Sequence, residues 1–238
     1  MKDLGAAKQI LGMSIARNKE TSTLKLSQPK YIKKVLEKFS MADAKPRSTP
    51  LGSQLKLSKA QSPKTEKDRE QMAKIPYASA VGSLMYAMLC TRPDIAQAVG
   101  VISRFMSNPG KDHWEGVTWL LRYLKGTSDV CLVYRKKEAV LEGFGDANLG
   151  GCEDSRKEHN RICVHSRRSA KELVWLKSFL AKLGLQQDNY VLHCDNESAV
   201  HLAKNPKKLG TTNPADMFTK VVTTDKLRLC MTLTGIPV

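Results

Sequence analysis

The sequence predicts a mixed α/β fold, with strands in front, helices in the middle and strands alternating with helices behind. Three patterns predict it. Apolar and polar residues alternate over stretches of residues 9–27, as one face of a strand requires. From Pro29 to Phe39, and again between Tyr77 and Lys125, apolar residues recur three and four apart. Further on, Val191-Leu192-His193-Cys194 ends on Asp195, and a helical pattern starts at once.

Residues 9–27 read as two short strands. Ile10, Leu11, Met13 and Ile15 form the first, Leu24 and Leu26 belong to the second, and Arg17–Thr23 is the turn. Pro29 then opens a helix that runs to Phe39. Tyr31, Ile32, Val35, Leu36 and Phe39 share one face, and Lys30, Lys33, Lys34 and Lys38 mostly occupy the other. Those lysines read equally as a solvated face or as a phosphate-facing one. Residues 41–76 read as an extended, partly mobile linker, because Pro46, Pro50, Pro63 and Pro76 interrupt any helix.

Three helices follow. The first spans about Tyr77 to Leu89 and buries Val81, Leu84, Met85 and Met88. The second starts at Pro93-Asp94, a suitable first turn, and buries Ile95, Ala98, Val99, Ile102 and Phe105. The third covers about Lys111 to Lys125, with Trp114, Val117, Leu121 and Leu124 on one stripe. Next come two strands, Val130–Arg135 and Val140–Phe144, then a polar, irregular stretch over residues 150–168. A helix resumes near Ser169 and stops at Gly184. A strand, Tyr190–Cys194, and a helix, Glu197–Lys204, come after it. Asp216 opens a short helical turn, and Thr224–Leu233 is the last helix.

The chain has 238 residues, a net charge of +16 and a pI near 9.6. Such an excess favours a polyanionic partner, because cations that neutralise phosphates release condensed counterions. The excess sits in front: residues 1–70 carry 16 basic and 7 acidic side chains. The six cysteines show no paired spacing, and no signal peptide or membrane-length apolar run is present. That pattern points to an intracellular chain with reduced thiols, in cytoplasm or nucleus, without a membrane partner. Cys152, His159, Cys163 and His165 are zinc-type residues, but their spacing fits no common finger and suits loop residues better.

Three acids carry the chemical signal. Asp195 follows an apolar strand, Asp146 follows Leu141-Glu142-Gly143-Phe144-Gly145, and Asp216 follows Asn213-Pro214-Ala215. Acids at the C-terminal edge of strands are where α/β folds place metal ligands and catalytic groups. The plainer alternative is that each is a turn or helix-cap residue, which suits Asp216 after Pro214 well.

In this order the segments resemble the polyprotein of copia-type long-terminal-repeat retrotransposons of plants. Lys2-Asp3-Leu4-Gly5 through Ile10-Leu11-Gly12-Met13 is similar to the segment that follows the reverse transcriptase active-site turn. Tyr77-Ala78-Ser79-Ala80-Val81-Gly82-Ser83-Leu84-Met85-Tyr86, Thr91-Arg92-Pro93-Asp94-Ile95 and Trp119-Leu120-Leu121-Arg122-Tyr123-Leu124-Lys125-Gly126-Thr127 resemble the thumb and connection signature. Gly145-Asp146-Ala147-Asn148, Cys194-Asp195-Asn196 and Asn213-Pro214-Ala215-Asp216 resemble three landmarks of the ribonuclease H domain.

The resemblance implies a helical thumb and connection region followed by an incomplete ribonuclease H-like α/β domain. Residues 1–40 would be the end of the reverse transcriptase palm and thumb, 41–76 a linker, 77–128 the helical connection, and 129–238 a truncated ribonuclease H-like domain. It implies Asp146, Asp195 and Asp216 as catalytic residues and magnesium ligands, and RNA–DNA hybrid or duplex as partner. The polymerase turn, an aromatic residue followed shortly by two adjacent aspartates, does not occur. The family also places two strands between the first acid and the helix holding Lys171-Glu172-Leu173. At that helix's start, where the family has a catalytic Glu, this chain has no carboxylate near Ile162. Three readings stay open: a ribonuclease H-like nuclease with impaired cleavage, a nucleic-acid-binding remnant that does not cut, and a decayed gene product.

Overall fold

The computed structural model describes residues 5–135, 141–145, 161–186, 190–194 and 223–233. The chain divides into two compact units. One comprises Met1–Lys136 with Val221–Val238, and the other comprises Lys137–Lys220. Both helix and strand are well represented, so the fold is mixed α/β.

The first unit opens with three strands, β1 (Gln9–Ile10), β2 (Met13–Asn18) and β3 (Thr23–Ser27). Two strands are predicted here; the difference arises at Leu11-Gly12. Both residues take positive φ, 49° and 73°, as a two-residue hairpin turn of primed type demands. Gly12 takes that conformation without steric penalty. The turn splits the apolar run, so that Ile10 pairs with Met13. β4 (Leu132–Arg135) closes the antiparallel sheet in the order β1-β2-β3-β4, with Leu26 opposite Leu132.

The core of this unit lies in the helices, not in the sheet. α1 (Pro29–Lys38) begins at Pro29, whose missing N–H lies where no helical bond is needed. It buries Ile32, Val35 and Leu36, while Lys30, Lys33, Lys34 and Lys38 stay exposed. α3 (Tyr77–Cys90), α4 (Ala96–Ser103) and α5 (Lys111–Gly126) pack against one another, and α1 packs on α3 and α5. Val81, Leu84, Ile95, Ala98, Val99, Ile102, Phe105, Val117, Leu121 and Leu124 are buried as their spacing predicts. Met85 and Met88 are only half-buried, and Ala80 and Ala87 fill the interior beside them. Pro93–Ile95 forms a separate 3-10 turn ahead of α4.

Residues 41–76 differ most from expectation. They form a strap tied along α5, with a helix of its own, α2 (Glu66–Ala73), capped by Thr65. Trp119 Nε1 donates to Thr49 O at 2.9 Å, and Arg122 Nε donates to Lys45 O at 2.6 Å. His113 is fully buried, stacks on Phe105 at 4.0 Å, and accepts the Gly110 N–H at Nδ1 (2.8 Å). Its Nε2 then donates to Ser58 O at 3.0 Å. Leu51 and Met72 are buried too. The strap is held largely through backbone carbonyls, which leave no trace in side-chain pattern.

One polar cluster sits inside the helical core. Arg92 and Asp94 have no exposed side-chain surface. They form two parallel bonds, Nε to Oδ1 at 2.9 Å and Nη2 to Oδ2 at 2.8 Å. Arg92 Nη1 donates to Thr127 O and Nη2 to Thr127 Oγ1, and the Tyr123 hydroxyl donates to Asp94 Oδ2 at 2.8 Å. Burial alone would lower the Arg92 pKa, but the Asp94 charge outweighs it and holds the guanidinium above its ordinary value.

Tyr123 and Tyr77 are buried phenols, and Tyr77 donates to Ile102 O at 2.8 Å. Desolvation raises both pKa values well above the ordinary ~10, and Asp94 adds to the effect at Tyr123. Because the folded values are raised, the contribution of these groups is whole below pH ~10 and is lost as pH climbs further. Of the six tyrosines, two are therefore expected to ionise only as helical circular dichroism disappears. Six phenolates titrating near pH 10 with native dichroism would refute this.

The second unit contains β5 (Leu141–Gly145), α6 (Arg161–Lys182) and β6 (Tyr190–Cys194). The strand predicted at Val140–Phe144 is β5. α6 starts eight residues before the expected Ser169; no Gly or Pro between Arg161 and Ser169 stops it. β5 and β6 pair in parallel, and α6 packs on both, which makes a βαβ unit. Leu173 of α6 is buried, yet Trp175 is 59% exposed and stacks in the open on Phe179. The predicted helix over Glu197–Lys204 and the turn at Asp216 lie outside the described residues. The last predicted helix is α7 (Thr224–Leu233), which belongs to the first unit and buries Leu227 and Met231.

Candidate functional site

The βαβ unit sets the geometry of the candidate site. β5 and β6 run the same way in register from Leu141 opposite Tyr190 to Gly145 opposite Cys194. Their C-terminal ends are therefore level, on strands about 4.8 Å apart. Ligands of open parallel sheets gather at this end of the strands. Asp146 is the next residue after Gly145, and Asp195 the next after Cys194.

Asp146, Asp195 and Asp216 lie outside the described residues. So do the side chains of Cys152, His159, Cys163 and His165. Among the described residues no group of three or more His, Cys, Asp or Glu is placed to hold a metal ion.

One feature of the strand ends escapes a reading of motifs. Phe144 and His193, register partners, stack with ring centroids 4.7 Å apart and planes 13° from parallel. Each stands two residues before one of the acids in the sequence. The sequence signal was there, an aromatic ring at the same offset before each Asp, but only the register shows that the rings meet.

α6 supplies a further constraint. Ile162 lies in its first turn, where the family resemblance puts a carboxylate. Glu172 is the single acid of this helix, and it is exposed. Ten residues of helix separate the two positions, a rise of about 15 Å. Glu172 therefore does not stand in for the absent group.

In the first unit the structure gives the motif residues a structural role. Thr91, Arg92 and Asp94 are fully buried, and Thr91 Oγ1 donates to Gln28 Oε1 at 2.8 Å. Tyr77, Trp119, Tyr123 and Thr127 each hydrogen-bond to another part of the unit. These residues hold the helices and strap together. Among the described residues no helix is long and apolar enough to cross a membrane.

No family model matches the chain, and no solved structure matches it. Curated proteins do. The chain is 45% identical to the retrovirus-related Pol polyprotein from transposon TNT 1-94 of Nicotiana tabacum, over 99% of this chain and 22% of that protein. It is 31% identical to the Pol polyprotein from transposon RE2 of Arabidopsis thaliana, over 77% of this chain and 14% of that protein. A shorter similarity, 41% identity over 45% of this chain, links it to the secreted RxLR effector protein 161 of Plasmopara viticola and covers 81% of that protein. The chain thus spans about a fifth or less of the length of the two polyproteins. The tobacco match extends over 290 positions against the 238 residues here, so about 50 positions inside that span have no counterpart in this chain. Near-complete coverage by one transposon polyprotein, with others matching most of its length, places this chain in the family of copia-type retrotransposon Pol polyproteins of plants.

Proposed function

We propose that the chain is a Pol fragment whose rear part is a shortened ribonuclease H-like domain that grips RNA–DNA hybrid and cleaves the RNA strand with magnesium, at an impaired rate. On this reading residues 1–40 descend from the end of the reverse transcriptase, 41–76 from a linking segment, 77–128 from its helical connection, and 129–238 from the nuclease. Asp146, Asp195 and Asp216 are the metal ligands and catalytic acids. The observation that carries the proposal is the level, parallel ending of β5 and β6, one peptide bond before Asp146 and Asp195.

Elementary geometry supports it. Successive Cα atoms lie 3.8 Å apart, so each acid starts within that distance of a strand end. If the strand course holds for one more residue, both acids share the face that bears Phe144 and His193. Carboxylate oxygens suit magnesium, which binds through few protein ligands and keeps water or phosphate for the rest. The ion, when bound, polarises the phosphate and activates the attacking water. Two such ions ~4 Å apart repel each other and need several converging acids. Ile162 offers none, which is the source of the impairment.

The test is a labelled RNA–DNA hybrid incubated with the full chain and magnesium. Slow cleavage of the RNA strand is expected, absent with EDTA and absent in Asp195→Asn. Cleavage that survives in Asp195→Asn would sink the assignment, and a brisk rate would sink the impairment.

A second reading, binding without cutting, rests on Ile162 in α6 and the overall charge of +16. It predicts hybrid binding that weakens steeply with salt, is unchanged in Asp195→Asn, and comes with no cleavage at all.

A further inference from the structure

We propose that the first unit holds a binding site for a nucleoside phosphate, with the phosphate on Arg47 and the ring system in a cavity beneath it. The cavity, about 690 Å³, lies between the strap, the end of α5 and α7. All its lining residues belong to the first unit. Its size is that of ordinary small-molecule sites.

Arg47 is the reason to expect an anion. Its guanidinium stands over the face of Trp119, with Cζ 3.9 Å from the ring centroid. Its Nε is buried and has no hydrogen-bond partner among the described residues. A buried donor left unmade is costly, and one on a cation is costlier still. The cation–π contact restrains the guanidinium, whose fork of donors matches two oxygens of a phosphate. Arg228 also lines the cavity, from α7, and among the described lining residues Asp129 is the one acid. At the carbonyl end of α5, Tyr123 O accepts from Thr127 Oγ1 and Leu124 O accepts from Thr127 N, so two of its last carbonyls are already occupied.

The lower wall suits a flat organic group. Tyr123, Leu227 and Met231 are buried residues that line it. A bare inorganic anion would leave that apolar space unused. A nucleotide uses both halves, whether it is free or the phosphorylated end of a nucleic-acid strand.

Titration calorimetry on the full chain tests this with adenosine monophosphate, adenosine, orthophosphate, and a short DNA strand with and without a 5′-phosphate. Adenosine monophosphate should bind saturably, and adenosine more weakly by ~10-fold or more, the worth of one charged hydrogen bond. Arg47→Met should weaken the nucleotide by a similar factor. Arg47→Lys, which keeps the charge and loses the fork, should fall between. A preference for the phosphorylated strand over the free nucleotide identifies a strand end as the natural ligand, and the reverse a free nucleotide. Equal binding of adenosine and its monophosphate overturns the proposal, as does unchanged nucleotide affinity in Arg47→Met. Should that variant not fold, Arg47→Lys must itself weaken the nucleotide, and its failure to do so overturns the proposal too.

Discussion

Arg92→Met is expected to destabilise the first unit by ~3–5 kcal/mol, because it strands the Asp94 carboxylate in the core with the Tyr123 hydroxyl still donating to it. Domains are stable by only ~5–15 kcal/mol, so the urea midpoint should move far toward zero. Thr127 would lose its two guanidinium bonds in the same step. The instructive comparison is the pair of substitutions Arg92→Met and Asp94→Leu in one chain. Replacing a whole buried ion pair by apolar groups is often nearly neutral, so the double variant should be more stable than Arg92→Met alone. A loss below ~1 kcal/mol in the single variant, as at an exposed pair, would mean that the cluster is not closed to water.

Gly110→Ala is the second large effect. A Cβ built at Gly110 would stand 2.0 Å from Gln61 O and 3.1 Å from Gln61 C. The obstacle is backbone, so no side chain can swing away. The strap or the start of α5 must shift, and the bonds from Gly110 to His113 and from His113 to Ser58 go with it. Overpacking of this kind costs ~1–3 kcal/mol, and here the coupled loss of hydrogen bonds adds to it. Gly82→Ala is the matched control. Gly82 lies within α3, and nothing stands within 4 Å of its Cβ position. Alanine there should stabilise by ~0.5–1 kcal/mol, through helix propensity and a less mobile unfolded chain. Chemical denaturation of both variants decides the matter: shifts of the same sign would refute the packing argument.

The helices of the first unit were legible because their buried stripes recur at helical spacing, as in Val117, Leu121 and Leu124. The strap was not, because its anchors are carbonyl oxygens of Lys45, Thr49 and Ser58, and a carbonyl is the same in every residue. The turn at Leu11-Gly12 is not legible in the sequence, because Leu11 there takes a left-handed backbone that its residue type seldom adopts. β4 carries a strand pattern of its own, but its partner β3 lies more than a hundred residues earlier, and no local pattern names such a partner. At the candidate site the strands before Asp146 and Asp195 were legible from apolar runs ending on an acid. Their parallel pairing and the Phe144–His193 stack were not, since register is a property of two segments together.

The return of α7 to the first unit has a consequence for synthesis. Met231 Sδ lies 4.0 Å from the Tyr123 hydroxyl, across 108 residues of chain. At ~5–20 residues per second a ribosome takes about 5–20 s to cover that distance. Throughout that interval the nascent host has Tyr123 waiting without the flank that Leu227 and Met231 later cover. A cell making this chain must shelter that raw surface until the final helix emerges, and translation halted before Thr224 leaves it bare.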